Sequence, residues 1–171
     1  MMEFHTRLDR RGGVNMAALR TDARGVVVTC GSCGQANRLA FDTLGEHTRC
    51  GRCQADVPAP GAPVDVREAA DFDAMIRASR LPVLVDFWAA WCGPCRAVAP
   101  EIARVAERHR GEWLVAKVDT DALQEVAARL QIQSIPTLAV FRRGAVAGRT
   151  AGAMSAPQID AFVRQSLEQA G

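Results

Sequence analysis

Val85-Asp-Phe-Trp-Ala-Ala-Trp-Cys-Gly-Pro-Cys95 is the stretch of the chain that decides its fold. It extends an apolar run that begins at Pro82, and such a run, rich in β-forming residues, is typical of a strand buried on both faces. The stretch ends in a Cys-x-x-Cys pair that opens a helical pattern over residues 94–110. A buried strand leading directly into a helix predicts an α/β fold.

The rest of the C-terminal part alternates in the same way. The pattern predicts strands over residues 113–119, 137–141 and 146–150, and helices near 71–78 and over 121–130 and 156–169. Ser155 is placed to cap the last helix, and Pro157 lies in its first turn. Strands separated by helices, followed by two strands joined by a tight turn, predict a mixed central sheet flanked by helices on both faces.

The pair Cys92 and Cys95 stands where the predicted strand ends and the next helix begins. A helix N-terminus favours negative charge, so the pKa of Cys92 should fall below the roughly 8.5 of a free cysteine. Cys95, one turn into the helix, should be more buried and protonated, and the spacing permits a reversible disulfide. The alternative is half of a zinc site, but residues 64–171 contain no further cysteine and only one histidine, His109.

Four more cysteines lie upstream as two Cys-x-x-Cys pairs separated by 16 residues: Cys30, Cys33, Cys50 and Cys53. This spacing is typical of a four-cysteine zinc site, in which four thiolates form the tetrahedral cage that structural zinc prefers. About thirty residues bury too little apolar surface to fold alone, so we expect the metal to organise this module. Two redox pairs or two structural disulfides are the alternatives.

These patterns divide the chain into four segments. We interpret residues 1–25 as a disordered tail or as the result of a start codon placed too early. The zinc-binding module is predicted over residues 26–56, a proline-rich linker over 57–63, and the redox domain over 64–171. The N-terminus lacks the continuous apolar core of a secretory signal. We therefore expect a cytoplasmic protein, whose cysteines serve as metal ligands or redox groups rather than structural disulfides.

Composition narrows the function classes further. Of the 171 residues 49% are apolar and 23% are charged, so the chain can bury a core. The net charge is +2, from 21 basic and 19 acidic residues, and gives no basic excess for nucleic acid. No apolar run approaches the roughly 18–20 residues of a membrane-spanning helix, which argues against a membrane protein. Lys117 is the only lysine, and an isolated lysine is a candidate functional residue.

The stretch Val85–Cys95, with Pro100 and the later Ser134-Ile-Pro-Thr137, resembles the thioredoxin family over about residues 64–171. The module in front of it resembles that of the zinc-containing bacterial members, the thioredoxin-2 type. The resemblance implies a thioredoxin fold preceded by a small zinc-ribbon-like module, and a thiol-disulfide oxidoreductase that reduces disulfides in client proteins. It also implies recycling by an NADPH-dependent thioredoxin reductase and no redox cofactor in the chain itself. We expect a monomer.

The resemblance also implies roles for individual residues. Cys92 corresponds to the attacking nucleophile, Cys95 to the resolving cysteine, and Asp86 to the buried carboxylate beneath the pair. Lys117 corresponds to the electrostatic partner of Asp86, and Pro136 to the cis-proline opposite the site. The apolar rim that docks target proteins corresponds to Trp91, Gly93, Pro94, Ile135, Ala151 and Gly152.

Asp86 is unusual on physical grounds alone, because a carboxyl group in an apolar strand is costly unless it has a purpose. Burial there should raise its pKa toward a range useful for proton transfer. Other functions stay open on the same fold. They are a disulfide oxidase or isomerase, for which the Gly-Pro dipeptide between the cysteines is untypical, and a redox-regulated binding protein or holdase built on the zinc module.

Overall fold

The computed structural model describes residues 18–171 of the chain. Its strands are β1 (Leu19–Asp22), β2 (Gly25–Thr29), β3 (Ala36–Ala40), β4 (Thr48–Arg49), β5 (Asp56–Val57), β6 (Val64–Val66), β7 (Val83–Trp88), β8 (Leu114–Asp119), β9 (Thr137–Arg142) and β10 (Ala145–Ala151). Its α-helices are α1 (Ala69–Ala78), α2 (Gly93–Arg108), α3 (Gln124–Arg129) and α4 (Ala156–Gln169). A short 3-10 helix covers Phe41–Thr43.

Eight of these strands form one sheet, in the order β10-β9-β7-β8-β6-β1-β2-β3. Its centre is parallel, since β7 pairs with β8, β8 with β6, and β6 with β1. The strands β9 and β10 on one side and β2 and β3 on the other complete the sheet in antiparallel register. The mixed central sheet expected from the sequence is confirmed, and it is wider than the sequence predicts.

The extra width comes from the N-terminal strands. β1 lies inside the segment 1–25 predicted as a tail, and it pairs with β6 through Leu19↔Val64 and Arg20↔Asp65. The pairing occupies the backbone groups that β6 would otherwise leave open at the edge of the sheet. Disorder is therefore the wrong prediction for residues 19–25. Residues 1–17 of that tail lie outside the described residues, and the other segment bounds stay predictions.

The two faces of the sheet are covered by different helices. α1 and α3 cover the face that carries Val83, Val85 and Phe87, and α2 and α4 cover the face that carries Leu84. Because side chains alternate along a strand, Asp86 lies on the same face as Leu84, beneath α2. The first five residues of β7 are buried, as the apolar run predicts.

The first of these cores continues into the N-terminal module. Phe41 and Leu44 are buried in the same cluster as Phe72 of α1. The backbone N–H of Arg80 donates to the carbonyl oxygen of Phe41 at 3.0 Å, and the Arg80 guanidinium pairs with Glu46. The module and the C-terminal domain therefore share one core. The small size of the module instead predicts a unit organised by its metal alone.

The helix ends follow local side-chain chemistry. Ser155 and Gln158 form a capping box at the start of α4, which confirms Ser155 as the cap. α3 is shorter than the predicted 121–130, because the Asp119 carboxylate accepts the N–H of Asp121 at 2.9 Å and turns the chain before the helix begins. Within residues 18–171, no helix combines the length and apolarity needed to cross a bilayer.

The shared core makes a testable prediction about cooperativity. Phe41 is 2% exposed, so Phe41→Ala should lower the free energy of unfolding by about 3–5 kcal/mol. All three tryptophans lie in the C-terminal domain, and urea unfolding followed by their fluorescence should show one transition at lower urea. Val146→Ala, at an exposed apolar side chain, is the control and should leave the midpoint in place. An unchanged tryptophan transition in Phe41→Ala would show that the two parts fold independently.

Candidate redox site and metal centre

Cys92 and Cys95 form a disulfide where β7 ends and α2 begins. Cys92 is the N-cap of α2 and Cys95 lies in its first turn; both are buried. The backbone N–H of Cys95 points at Cys92 Sγ, with 3.2 Å between nitrogen and sulfur. An N–H group at a helix N-terminus favours a negatively charged sulfur, so the geometry suits a Cys92 thiolate once the disulfide is reduced.

Asp86 lies next to the positively charged Lys117 of the neighbouring strand. The register of the parallel pair β7 and β8 sets Asp86 beside Lys117. Asp86 is 1% exposed, and neither carboxylate oxygen has a hydrogen-bond partner among the described residues. Burial raises the pKa of Asp86 from 3.8 to about 6, and the charge of Lys117 offsets only part of that rise. A carboxyl group with such a pKa can accept a proton near neutral pH.

A backbone segment closes the other side of the disulfide. The peptide bond between Ile135 and Pro136 is cis, and the carbonyl oxygen of Ile135 lies 3.8 Å from Cys92 Sγ. The N–H of Gly152 donates to the carbonyl oxygen of Pro136 at 2.9 Å, and Ala151 pairs with the first residue of β9. The ends of β10 and of the loop before β9 therefore meet at the disulfide.

Trp91 stands on the surface next to Cys92. It is 68% exposed, and its indole N–H donates to the Asp121 carboxylate at 3.0 Å. Gly93 and Pro94, which open α2, are exposed as well. An exposed, oriented aromatic ring beside a reactive disulfide is suited to contact with another macromolecule.

The four N-terminal cysteines converge on one point. Their sulfur atoms all lie within 4.8 Å of one another, with 3.6 Å between Cys30 and Cys53 and 3.6 Å between Cys33 and Cys50. Four sulfurs around one zinc at about 2.3 Å would stand about 3.8 Å apart in a tetrahedron. The residues present therefore fit a single closed tetrahedral metal site, and they do not form two disulfides in this structure.

Backbone N–H groups favour the thiolate at two of the four cysteines, Cys30 and Cys50, whereas hydrogen bonds with the neighbouring cysteines and burial raise the pKa of Cys53 to about 12. The N–H groups of Cys53 and Arg52 lower the pKa of Cys50 to about 6, and that of Cys33 lowers the pKa of Cys30. These N–H groups belong to the two matching Cys-x-x-Cys turns. Such hydrogen bonds stabilise the charged sulfur that a metal binds.

Comparison with known proteins decides the family. The model described as Thioredoxin matches residues 63–165, more than half of the chain. The chain belongs to the thioredoxin family. A second model, described as Thioredoxin 2, N-terminal, matches residues 29–55 and so includes all four cysteines of the cluster. The fold and the zinc-ribbon module that the sequence resembles are thereby confirmed.

Individual relatives agree with the family models. Thioredoxin C-3 of Corynebacterium nephridii is 36% identical over 145 residues, which cover 84% of this chain and 97% of that protein. The bifunctional thioredoxin reductase/thioredoxin of Mycobacterium leprae is 43% identical over 98 residues, 57% of this chain and 21% of that longer protein. A mutant thioredoxin from Halobacterium salinarum NRC-1 has a similar structure, with a TM-score of 0.59 and 27% identity over 64% of this chain and 95% of that one.

Thioredoxins are thiol-disulfide oxidoreductases, and this thioredoxin is one as well. The structure places the predicted redox residues in two groups. Six of them meet at the disulfide: Cys92, Cys95, Ile135, Pro136, Ala151 and Gly152. The other two, Asp86 and Lys117, lie side by side within β7 and β8. It sets the predicted rim residues Trp91, Gly93 and Pro94 on the surface beside them.

Sequence reasoning missed two residues that make polar contacts at these sites. Asp121 orients Trp91, and the side-chain amide of Asn37 donates to Cys50 Sγ at 3.6 Å while its Oδ1 accepts the N–H of Gly51 at 3.0 Å. Neither residue belongs to a motif. Both are far from their partners along the chain, so only the folded structure reveals them.

The buried carboxyl group predicts a pH-dependent cost in stability. With its pKa raised from 3.8 to about 6, Asp86 holds its proton longer in the folded protein than in the unfolded chain. It therefore costs nothing below about pH 4 and destabilises the fold increasingly up to about pH 6. By pH 7 the cost is about 3 kcal/mol.

Asp86→Asn cannot ionise and should avoid this cost. Urea unfolding of the oxidised protein at pH 4, 5, 6 and 7 should show the stability of the variant, relative to the unsubstituted chain, growing by about 2.4 kcal/mol across that range. Asp42→Asn, an exposed position, removes the same charge and is the control. A difference for Asp86→Asn that stays constant with pH would contradict the raised pKa.

Proposed function

We propose that this thioredoxin reduces disulfide bonds in other proteins through Cys92 and Cys95. The observation that carries the proposal is the position of the pair. Cys92 Sγ faces the N–H of Cys95 on one side and the Ile135 carbonyl on the other. Reductive exchange needs a stabilised thiolate and a second thiol close enough to close an intramolecular disulfide, and this pair supplies both.

The exchange proceeds in two steps that balance. The Cys92 thiolate attacks one sulfur of the target disulfide; a mixed disulfide forms, and the other target sulfur leaves as a thiolate. Cys95 then loses its proton, and its thiolate attacks Cys92 Sγ. The Cys92–Cys95 disulfide forms while the second target sulfur leaves. Two electrons pass to the target, which takes up protons to become two thiols.

Asp86 accepts the proton of Cys95 in the second step. Its pKa of about 6 makes the carboxylate an effective base near neutral pH. Lys117, next to it in the sheet register, keeps that pKa from rising further. The two residues therefore set when Cys95 becomes a nucleophile.

Target proteins dock on the rim around the disulfide. Trp91, held by Asp121, and the first residues of α2 form one side of this surface. On the other side, Ile135 precedes β9, whose pairing begins at Thr137, so we infer that its backbone pairs with an extended target segment. The apolar rim residues are Trp91, Gly93, Pro94, Ile135, Ala151 and Gly152.

We infer that an NADPH-dependent thioredoxin reductase returns the pair to its reduced form, and that the chain itself holds no redox cofactor. The Mycobacterium leprae relative, in which a thioredoxin is joined to its reductase, supports such a partner. The Gly-Pro dipeptide between the cysteines supports reduction over oxidation, because it adds no charged group that would stabilise the Cys92 thiolate further. The reaction fits a reducing cytoplasm.

We further propose that Cys30, Cys33, Cys50 and Cys53 hold one structural zinc ion. Four thiolates would close its coordination shell, so it would bind no substrate and would supply only folding energy. The second Cys-x-x-Cys turn hydrogen-bonds with Asn37, which orients the Cys50 sulfur.

The reductase activity depends on Cys92. In an insulin-reduction assay with thioredoxin reductase and NADPH, Cys92→Ser should lose activity by at least about a thousandfold, because no nucleophile remains. Cys95→Ser should accumulate a mixed disulfide with insulin, visible by mass spectrometry, because the attack occurs without release. Full activity in Cys92→Ser would overturn the proposed function.

Metal content separates the two groups of cysteines. The double variant Cys30→Ser/Cys33→Ser should fall from about one zinc per chain to near zero and melt at a lower temperature. Its reductase activity, measured below the melting temperature, should persist, since the cluster and the Cys92–Cys95 disulfide lie on different parts of the chain. Cys92→Ser is the matched control and should keep its zinc. Zinc retained in the double variant would contradict the proposed ligands.

A further inference from the structure

A row of charged residues crosses the sheet on the face beneath α2. Register places Asp86 of β7 beside Lys117 of β8, Lys117 beside Asp65 of β6, and Asp65 beside Arg20 of β1. The four charges alternate in sign, and neighbouring strands lie about 4.8 Å apart. Lys117 therefore stands between two carboxyl groups, one on each side.

These two carboxyl groups differ in their surroundings. Asp86 is 1% exposed and has no hydrogen bond among the described residues. Asp65 is half-buried and lines a cavity of about 220 Å³ together with Lys117 and Trp88. The Lys117 ammonium lies 4.5 Å from the centre of the Trp88 ring. The Lys117 ammonium keeps more of its hydration on the side of the cavity and Asp65 than on the buried side of Asp86, and this favours its approach to Asp65.

We propose that Asp65 is a positioning residue, which draws the Lys117 ammonium toward this cavity and away from Asp86. A lysine held fully against Asp86 would form a buried ion pair and keep that carboxylate from taking a proton. Lysine shared between two carboxylates leaves Asp86 able to act as the base for Cys95. This inference rests on the proposed function and adds a residue to it.

Further groups face this row from the neighbouring elements, and some of them are charged. Asp119, which also lines the cavity, uses a carboxylate oxygen to accept the N–H of Asp121 at 2.9 Å. Arg67 lines the cavity and Arg20 lies beside Asp65, so both add positive charge on the Asp65 side. On the α2 side, the buried titratable group of the first turn is Cys95. Leu138, the neighbour of Asp86 on β9, carries no charge.

The titration of Asp86, followed by carbon-13 NMR of its carboxyl group, tests the proposal directly. The oxidised protein is used, so that Cys92 and Cys95 do not titrate. Asp65→Asn should lower the pKa of Asp86 by about half a unit or more, because Lys117 then loses the carboxylate beside it on β6. Asp65→Glu, which keeps the charge, should retain the raised value. Asp42→Asn, which removes an exposed charge outside the row, should change nothing.

A second background distinguishes positioning from a direct charge effect. In Lys117→Gln, adding Asp65→Asn should leave the Asp86 titration where Lys117→Gln alone sets it. The same downward shift in both backgrounds would overturn the proposal, since Asp65 would then act on Asp86 without the lysine. No shift in Asp65→Asn alone would overturn it as well. Neither outcome depends on disulfide reduction, so the result stands apart from the fate of the proposed function.

Discussion

The parallel pairing of β7 with β8 is the constraint on which the redox site depends. It sets Asp86 directly beside Lys117 inside the sheet, and it directs the end of β7 into α2, where Cys92 becomes the N-cap. The strand β7 thus carries the buried carboxyl group and leads directly into the disulfide. The covering helix excludes water from Asp86, and this exclusion, rather than any hydrogen bond, raises its pKa. The fold therefore accepts a local cost in stability to hold a carboxyl group whose pKa is raised to about 6.

The N-terminal strands β1, β2 and β3 extend the same sheet, so the N-terminal part of the chain packs against the redox domain. β1 pairs with β6, and the buried Phe41 packs into the core that also holds Phe72. The stability of the module and that of the redox domain are therefore linked through backbone pairing and shared packing. The charged row makes the same connection on the other face, because its last member, Arg20, belongs to β1.

Much of this arrangement can be predicted from the sequence, where the pattern is local. The apolar run before Cys92 predicts β7, the spacing of the cysteines predicts the cluster, and Ser155 predicts the start of α4. What the sequence conceals depends on contacts between distant segments. β1 has no apolar run of its own and forms because β6 offers an unpaired edge. Asp65 looks like an ordinary surface residue until the register sets it beside Lys117.

We propose that Cys92 and Cys95 exchange a disulfide while Asp86 takes the proton of Cys95. Single-turnover rapid-quench measurements of mixed-disulfide release, from pH 5 to 9, separate this proton transfer from the first attack. Release in the unsubstituted protein should fall as pH drops through about 6. In Asp86→Asn it should be slower by about a hundredfold and lack that break, while the first attack by Cys92 is unchanged. Equal rates and equal pH profiles for the two proteins would show that Asp86 does not take this proton.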